Sequence, residues 1–215
     1  DNEISIQEAF DTEELSISDQ GITNLAGIEY FTEITSLFSL GNPIEHVDLS
    51  ANVLLESLVL NNALFETIDL SSLTNLRSLG ISDGELKVLD LSFSNNIVGL
   101  TLTGNELNSL NLDGCDKIFI LNISKNQLDS IDVSDAADLA SISLDSNNIK
   151  KLDLSENFKI GNGQGSVVAT GNPLELICAP SYRVLVNIWT VPSNTIITDD
   201  CDGEFIDFPD DSLKI

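Results

Sequence analysis

The sequence predicts a β-rich solenoid, one short coil of chain repeated and stacked, with parallel strand ladders on two faces and few or no long helices. Two observations carry that expectation. Apolar residues return in a single register every 21 residues over residues 34–159. Each unit also holds two short L-x-L patterns and leaves no room for a helical stripe. At 215 residues and 42% hydrophobic the chain can bury one sizeable core. It has no apolar run of the roughly 18 residues that a membrane-crossing helix needs.

Residues 1–33 form an N-terminal cap and an opening repeat, and six units follow: 34–54, 55–75, 76–96, 97–117, 118–138 and 139–159. The fourth position reads Leu37, Leu58, Leu79, Leu100, Leu121, Ile142 and the sixth Ser39, Leu60, Ile81, Leu102, Ile123, Leu144. In a strand these two positions share one face, so both turn inward. The fourteenth and sixteenth positions repeat the pattern as "IDLS" or "LDLS", which gives a second, shorter strand on the opposite face. Asn42, Asn105, Asn126 and Asn147 hold the ninth position, with Ala63 and Gly84 intervening. A side-chain amide there can reach backbone groups that the bend leaves unpaired. One coil cannot cover its own leucines, whereas stacked coils share a continuous core.

A period near 20 headed by L-x-x-L-x-L-x-x-N is the leucine-rich repeat signature. The pattern resembles the 21-residue repeats of internalin-like surface proteins and, more closely, of secreted multidomain proteins from Bacteroidetes. The resemblance covers nearly the whole chain and implies a right-handed coil. "LSISDQGITNLAGIEYFTEITSL", 15–37, looks like the opening repeat of that group, and "LICAPSYRVLVNIWTVPSNTIITDDC", 176–201, like its C-terminal cap. Between them, 160–177 keeps a degenerate seventh repeat in which Val167, Ala169, Asn172 and Leu174 continue the spacing after a glycine-rich insertion. Residues 202–215 read as an acidic tail or the start of a next module.

The same resemblance implies a cap at 178–201 closed by a Cys178–Cys201 disulfide, a closure worth roughly 3 kcal/mol in the chain-entropy model. Paired cysteines place the chain in an oxidising exterior, secreted or on a cell surface, as a monomeric piece of a larger protein. Cys115 falls at the nineteenth position, where Asn52 and Asn157 stand in other units. It reads as a buried free thiol replacing a turn asparagine.

Charge narrows the partners. Thirty-five acidic residues against nine basic ones give a net charge of −26. That argues against nucleic acid, whose phosphates need Lys and Arg, and against an anionic bilayer. It suits plain solubility or a salty, calcium-rich exterior. "DNEISIQEA" at 1–9 matches the second half of a calcium loop, with Asp1 and Glu8 as carboxylate ligands, Glu3 through its carbonyl and Ser5 beside a water. An ordinary acidic N-terminal cap is the competing reading. Asp48, Asp69 and Asp90 begin a fifteenth column that continues through Asn111, Asp132 and Asp153. At a spacing of about 4.8 Å neighbouring carboxylates repel by about 1 kcal/mol in a water-like dielectric. Turn hydrogen bonds, salt or bound Ca2+ must offset that. No cofactor is required; Ca2+ is the one the sequence offers.

The outward columns of the first strand are the candidate binding face. Phe38, Leu40 and Val59 make its N-terminal third apolar, and Asn61, Thr101, Asn122 and Ser143 make the rest polar. Ser39, polar at the sixth position, leaves open a local slip that would bury Phe38 instead. An enzyme is not expected: His46 is the lone histidine, and no cluster has metal-site spacing. No nucleophile elbow or phosphate-cradling loop is present either. The expected function is an extracellular, non-catalytic binding or adhesion module that recognises a protein or polysaccharide through its concave face. The alternative is an acidic, calcium-responsive structural spacer in a larger surface protein.

Overall fold

The computed structural model describes residues 5–160, 165–179 and 189–199. The chain enters through a short helix, α1 (Ile6–Phe10), whose start is fixed by a reciprocal cap. Ser5 Oγ accepts from Glu8 N at 3.2 Å, and the Glu8 carboxylate accepts from Ser5 N at 2.9 Å. Strand β1 (Glu14–Ser16) and a 3-10 turn at Ile28–Tyr30 complete the opening coil.

Each following rung adds one short strand to a single sheet. These strands are β2 (Ser36–Ser39), β3 (Ser57–Leu60), β4 (Ser78–Gly80), β6 (Gly99–Thr101), β8 (Ile120–Asn122), β9 (Ser141–Ser143), β11 (Ser166–Val168) and β13 (Trp189–Thr190). With β1 they form a nine-stranded parallel sheet in chain order. Register follows the repeat: Leu37 pairs with Leu58, Leu58 with Leu79, Leu79 with Leu100 and Leu100 with Leu121. Ile142 then pairs with Val167, so the ladder keeps its phase although the unit before it is longer. The inward residues from Leu37 to Val167 are buried, and Trp189 closes that column.

The opposite face carries a second parallel ladder, in two pieces. One is β5 (Val88–Asp90) with β7 (Ser109–Asn111); the other is β10 (Lys151–Asp153), β12 (Leu176–Cys178) and β14 (Ile196–Thr198). Elsewhere it shrinks to isolated bridges, Asn24 to His46 and Thr67 to Val88. The aspartate column explains why these strands are short. Asp48, Asp69, Asp90, Asp132 and Asp153 each accept from the backbone N–H two residues on, at 2.9–3.0 Å. At Asp90 and Asp153, the last residues of β5 and β10, that turn bends the chain out of the ladder just after the residue has paired.

Between the faces, ninth-position asparagines run through the coil interior. Asn126 Nδ2 donates to Ile123 O in its own rung and to Leu102 O one rung earlier, both at 2.9 Å, while its Oδ1 accepts from Leu107 N at 3.0 Å. Asn105, Asn147 and Asn172 repeat the arrangement. Where the asparagine is missing, backbone closes the gap. At the Gly84 rung, Glu85 N donates to Ala63 O at 3.1 Å. A Cβ on Gly84 would stand 2.4 Å from Ala63 O, so glycine is what lets that rung close.

A second set sits at the nineteenth position. Asn52 Nδ2 donates to Ile28 O and Phe31 O, and Asn157 Nδ2 to Val133 O and Ala136 O, all at 2.9 Å. Cys115 Sγ faces the equivalent pair, Leu91 O at 3.4 Å and Ser94 O at 3.8 Å. The thiol is thus a weak donor in an asparagine's place. Burial, and then the surrounding Asp116, Asp135, Asp113 and Asp90, push it up to about 11, which keeps it a thiol.

Candidate functional site

The nine-stranded sheet presents its outward residues in aligned columns. The fifth-position column runs Phe38, Val59, Gly80, Thr101, Asn122, Ser143, Val168. Phe38 and Val59 are half-buried and stand side by side across β2 and β3. Ser39 stays in the core and fully buried, its hydroxyl accepting from Asn42 Nδ2 at 2.8 Å. The polar sixth position is satisfied where it is, so Phe38 keeps its outward register. Leu40 is exposed beyond the end of the strand.

The polar candidates divide. Asn61 and Asn122 are half-buried, and each Oδ1 accepts a backbone N–H, from Ser82 at 3.1 Å and Ser124 at 3.2 Å. Asn122 thus fixes the bend after its own strand, whereas Asn61 ties its rung to the next one. Thr101 is exposed and Ser143 half-buried.

The calcium candidates lie apart from this face. Asp1 and Glu3 fall outside the described residues, as does Cys201, the expected partner of the buried Cys178. Ser5 and Glu8 are engaged with each other in the α1 cap. In the aspartate column the hydroxyl of Ser50, then its backbone N–H, hold Asp48 below the usual carboxylate range. At Asp69, Asp90 and Asp132 the backbone N–H of the serine two residues on is the larger cause and its hydroxyl the second. Among the described residues no group of three or more His, Cys, Asp or Glu side chains is placed to hold a metal ion.

These depressed values carry a pH dependence of definite sign. A carboxylate whose native pKa lies below its unfolded value of about 3.9 stabilises the fold above that pH. The stabilisation is lost as pH falls through the native value. Asn111 occupies the same column and accepts from Asp113 N at 3.0 Å, so an amide serves the turn equally well. The triple variant Asp48→Asn, Asp69→Asn, Asp90→Asn is therefore expected to fold. Its melting temperature should fall less than that of the parent between about pH 4 and pH 2. Thermal melts across that range check it.

His46 is exposed on the rim of a shallow depression of about 570 Å³, beside Glu29, Glu45 and Asp48. A second depression, about 650 Å³ and mostly apolar, lies between α1 and the opening coil around Ile6, Ile17, Leu25 and Tyr30.

One exposed group was not anticipated from the outward columns. Val98 and Phe119 occupy the second position of their units, on the turn leading into the long sheet, and both are 44% exposed; Ile120, at the head of β8, is 49% exposed. The signal was present in the sequence. The second position otherwise reads Thr35, Glu56, Arg77 and Ala140, among which two bulky apolar residues stand out.

Stacked coils, an unbroken parallel sheet and an internal asparagine ladder together define a leucine-rich repeat solenoid as the fold of this chain. No family model matches it, and no curated protein matches it in sequence. Solved structures share the fold at low identity. A leucine-rich repeat protein of Leptospira interrogans is 18% identical with a TM-score of 0.66, over 90% of this chain and 55% of that one. The ectodomain of a plant membrane receptor kinase from Arabidopsis thaliana, in complex with Casparian strip integrity factor 2, is 20% identical with a TM-score of 0.73. The match covers 91% of this chain and 26% of that one. Internalin C2 of Listeria monocytogenes is 19% identical with a TM-score of 0.66, over 91% of this chain and 84% of that one. The chain thus spans about half of the Leptospira protein and about a quarter of the plant ectodomain.

Proposed function

We propose that this chain is a non-catalytic recognition module that takes a protein partner on the outward face of its nine-stranded sheet, outside the cell. The observation that carries the reading is the sheet itself. Nine strands in one register hold outward side chains on a rigid surface, so little ordering is needed on binding. Phe38, Leu40 and Val59 supply apolar anchors at one end, and Asn61, Thr101, Asn122 and Ser143 continue the face as polar contacts. The Arabidopsis ectodomain of the same fold was solved bound to a second protein factor, which supports a protein over a polysaccharide. The acidic surface supports an extracellular setting, where salt and divalent cations screen it.

The test is a binding screen of the purified chain against arrayed surface proteins and polysaccharides, with and without Ca2+. A protein hit is expected, weakened at least about tenfold by Phe38→Ala and by Val59→Asp, with circular-dichroism spectra unchanged. A blank on both arrays, together with a melting temperature that rises with Ca2+, would instead make the chain an acidic spacer. Hits confined to polysaccharides would move the contact to the polar columns.

A further inference from the structure

The long sheet carries almost no charge on a strongly acidic chain. Along its third, fifth and seventh positions, from β1 to β11, Glu14 and Asp145 are the only charged residues. The chain as a whole is 20% charged, with a net charge of −26. The Asp145 carboxylate is engaged within the sheet, where its Oδ1 accepts from Thr170 N at 2.8 Å. Depletion of charge is what sets the centre of a protein interface apart from the rest of a surface. Here the depleted face also holds the apolar anchors Phe38, Leu40 and Val59.

Acids return at the border nearest those anchors. Glu14 pairs with Ser36 across β1 and β2, and Glu13 O accepts from Thr35 N at 2.8 Å. Asp19 N donates to Leu40 O at 2.8 Å. Glu56 stands just before β3, its N–H donating to Thr35 O at 2.8 Å, and Asp83 follows Ser82 just past β4. All five are exposed, and none forms an ion pair with a described residue. Within the first four rungs of the sheet, at 13–19, 35–41, 56–62 and 77–83, these are all the acids, and Arg77 is the one basic residue. The border therefore keeps the sign of the whole chain, and cations brought by a partner meet it uncompensated.

We propose that the partner taken at the Phe38–Val59 end of the sheet is a basic protein segment, one bulky apolar side chain flanked by Lys and Arg. The apolar group seats on Phe38, Leu40 and Val59. The flanking cations face Asp19 and Asp83 past one end of the strands and Glu13 and Glu56 before the other. The proposal rests on the reading of the sheet as a protein-binding face and adds the chemistry of the partner. Steering by opposite charge makes the contact sensitive to salt.

The experiment is fluorescence anisotropy with short labelled peptides in which Lys and Arg flank a central Leu or Phe. Two control sets carry Asp and Glu flanks, or basic flanks around a central Ser. The basic apolar set is expected to bind and to weaken as salt rises, and both controls to bind at least about tenfold less tightly. Phe38→Ala should cost about tenfold or more. So should the border triple Asp19→Asn, Glu56→Gln, Asp83→Asn. Asp19 and Asp83 both have φ +56°, a region asparagine tolerates, so the fold accepts the triple, and a thermal melt verifies that. The triple Asp48→Asn, Asp69→Asn, Asp90→Asn changes net charge equally on the opposite face and should leave affinity within about twofold. Equal losses in the two triples would mean a diffuse pull of an acidic chain on any cation, and would overturn the proposal. No binding of the basic apolar set, or equal binding of either control set, would overturn it too. A protein partner from the array whose affinity needs Phe38 but ignores salt and the border triple would overturn it while leaving the sheet-face reading intact. Peptide binding untouched by Phe38→Ala would overturn both.

Discussion

Replacing Asn126 with alanine is expected to destabilise the protein by about 3 kcal/mol, more than most polar truncations. Asn126 Oδ1 is the acceptor for the buried Leu107 N–H, which is left orphaned when the side chain goes. Such an orphan costs about 1–3 kcal/mol. Its Nδ2 also supplies Leu102 O and Ile123 O, but each of these carbonyls keeps one bond, from Asn105 at 3.1 Å and from Asn147 at 3.0 Å. The ladder is thus redundant for carbonyls and singular for the amide. Asn126→Asp should be worse than alanine, because a carboxylate satisfies Leu107 N but places an unpaired charge among acceptors. Urea denaturation of parent, Asn126→Ala and Asn126→Asp measures the ranking. A central lesion in a stack also parts neighbouring rungs, so a broadened transition should accompany the loss.

The second large effect is in the apolar core. Leu100→Ala should cost about 3–4 kcal/mol, whereas Leu110→Ala in the same unit should cost about 1 kcal/mol. Leu100 is fully buried at the centre of β6, held in register between Leu79 and Leu121. Leu110 sits in β7 of the short ladder and is only half-buried. Both are the middle residue of a three-residue strand and the first leucine of an L-x-L pattern, and both truncations remove the same atoms. A difference of this size therefore reads the packing of the two faces directly. Equal losses would mean that the short ladder holds its rung as firmly as the long sheet does.

Much of this was legible in the residues because inward positions answer to one rule. A fourth position that must fill the interior of every coil is apolar in every unit, and register followed from counting. Asn42, Asn105, Asn126 and Asn147 were equally readable, since a buried amide has only backbone to satisfy. Ser39 was ambiguous for the same reason, and only the bond from Asn42 settles which way its strand faces. The breaks in the second ladder were harder to see. Asp48, Asp69, Asp90, Asp132 and Asp153 look like strand residues by position, yet each also begins a turn, and which competitor prevails depends on the coil around it. The edge at Val98 and Phe119 escaped attention because strand alternation says nothing about residues on the turn before the strand. Exposure there is set by where the chain swings out, and no periodicity marks it.

The nine-stranded sheet, bridged by its asparagines, is the rigid body of this protein, and its second face is held less firmly. Amide hydrogen exchange measured residue by residue on the free chain tests this most directly. The slowest amides should recur every 21 residues, at Leu58, Leu79, Leu100 and Leu121 in the long sheet and at the asparagine-bound Leu107 and Leu128. Leu89 and Leu110 in the short ladder should exchange measurably faster. Protection that is uniform around the coil, or strongest at Leu89 and Leu110, would contradict it.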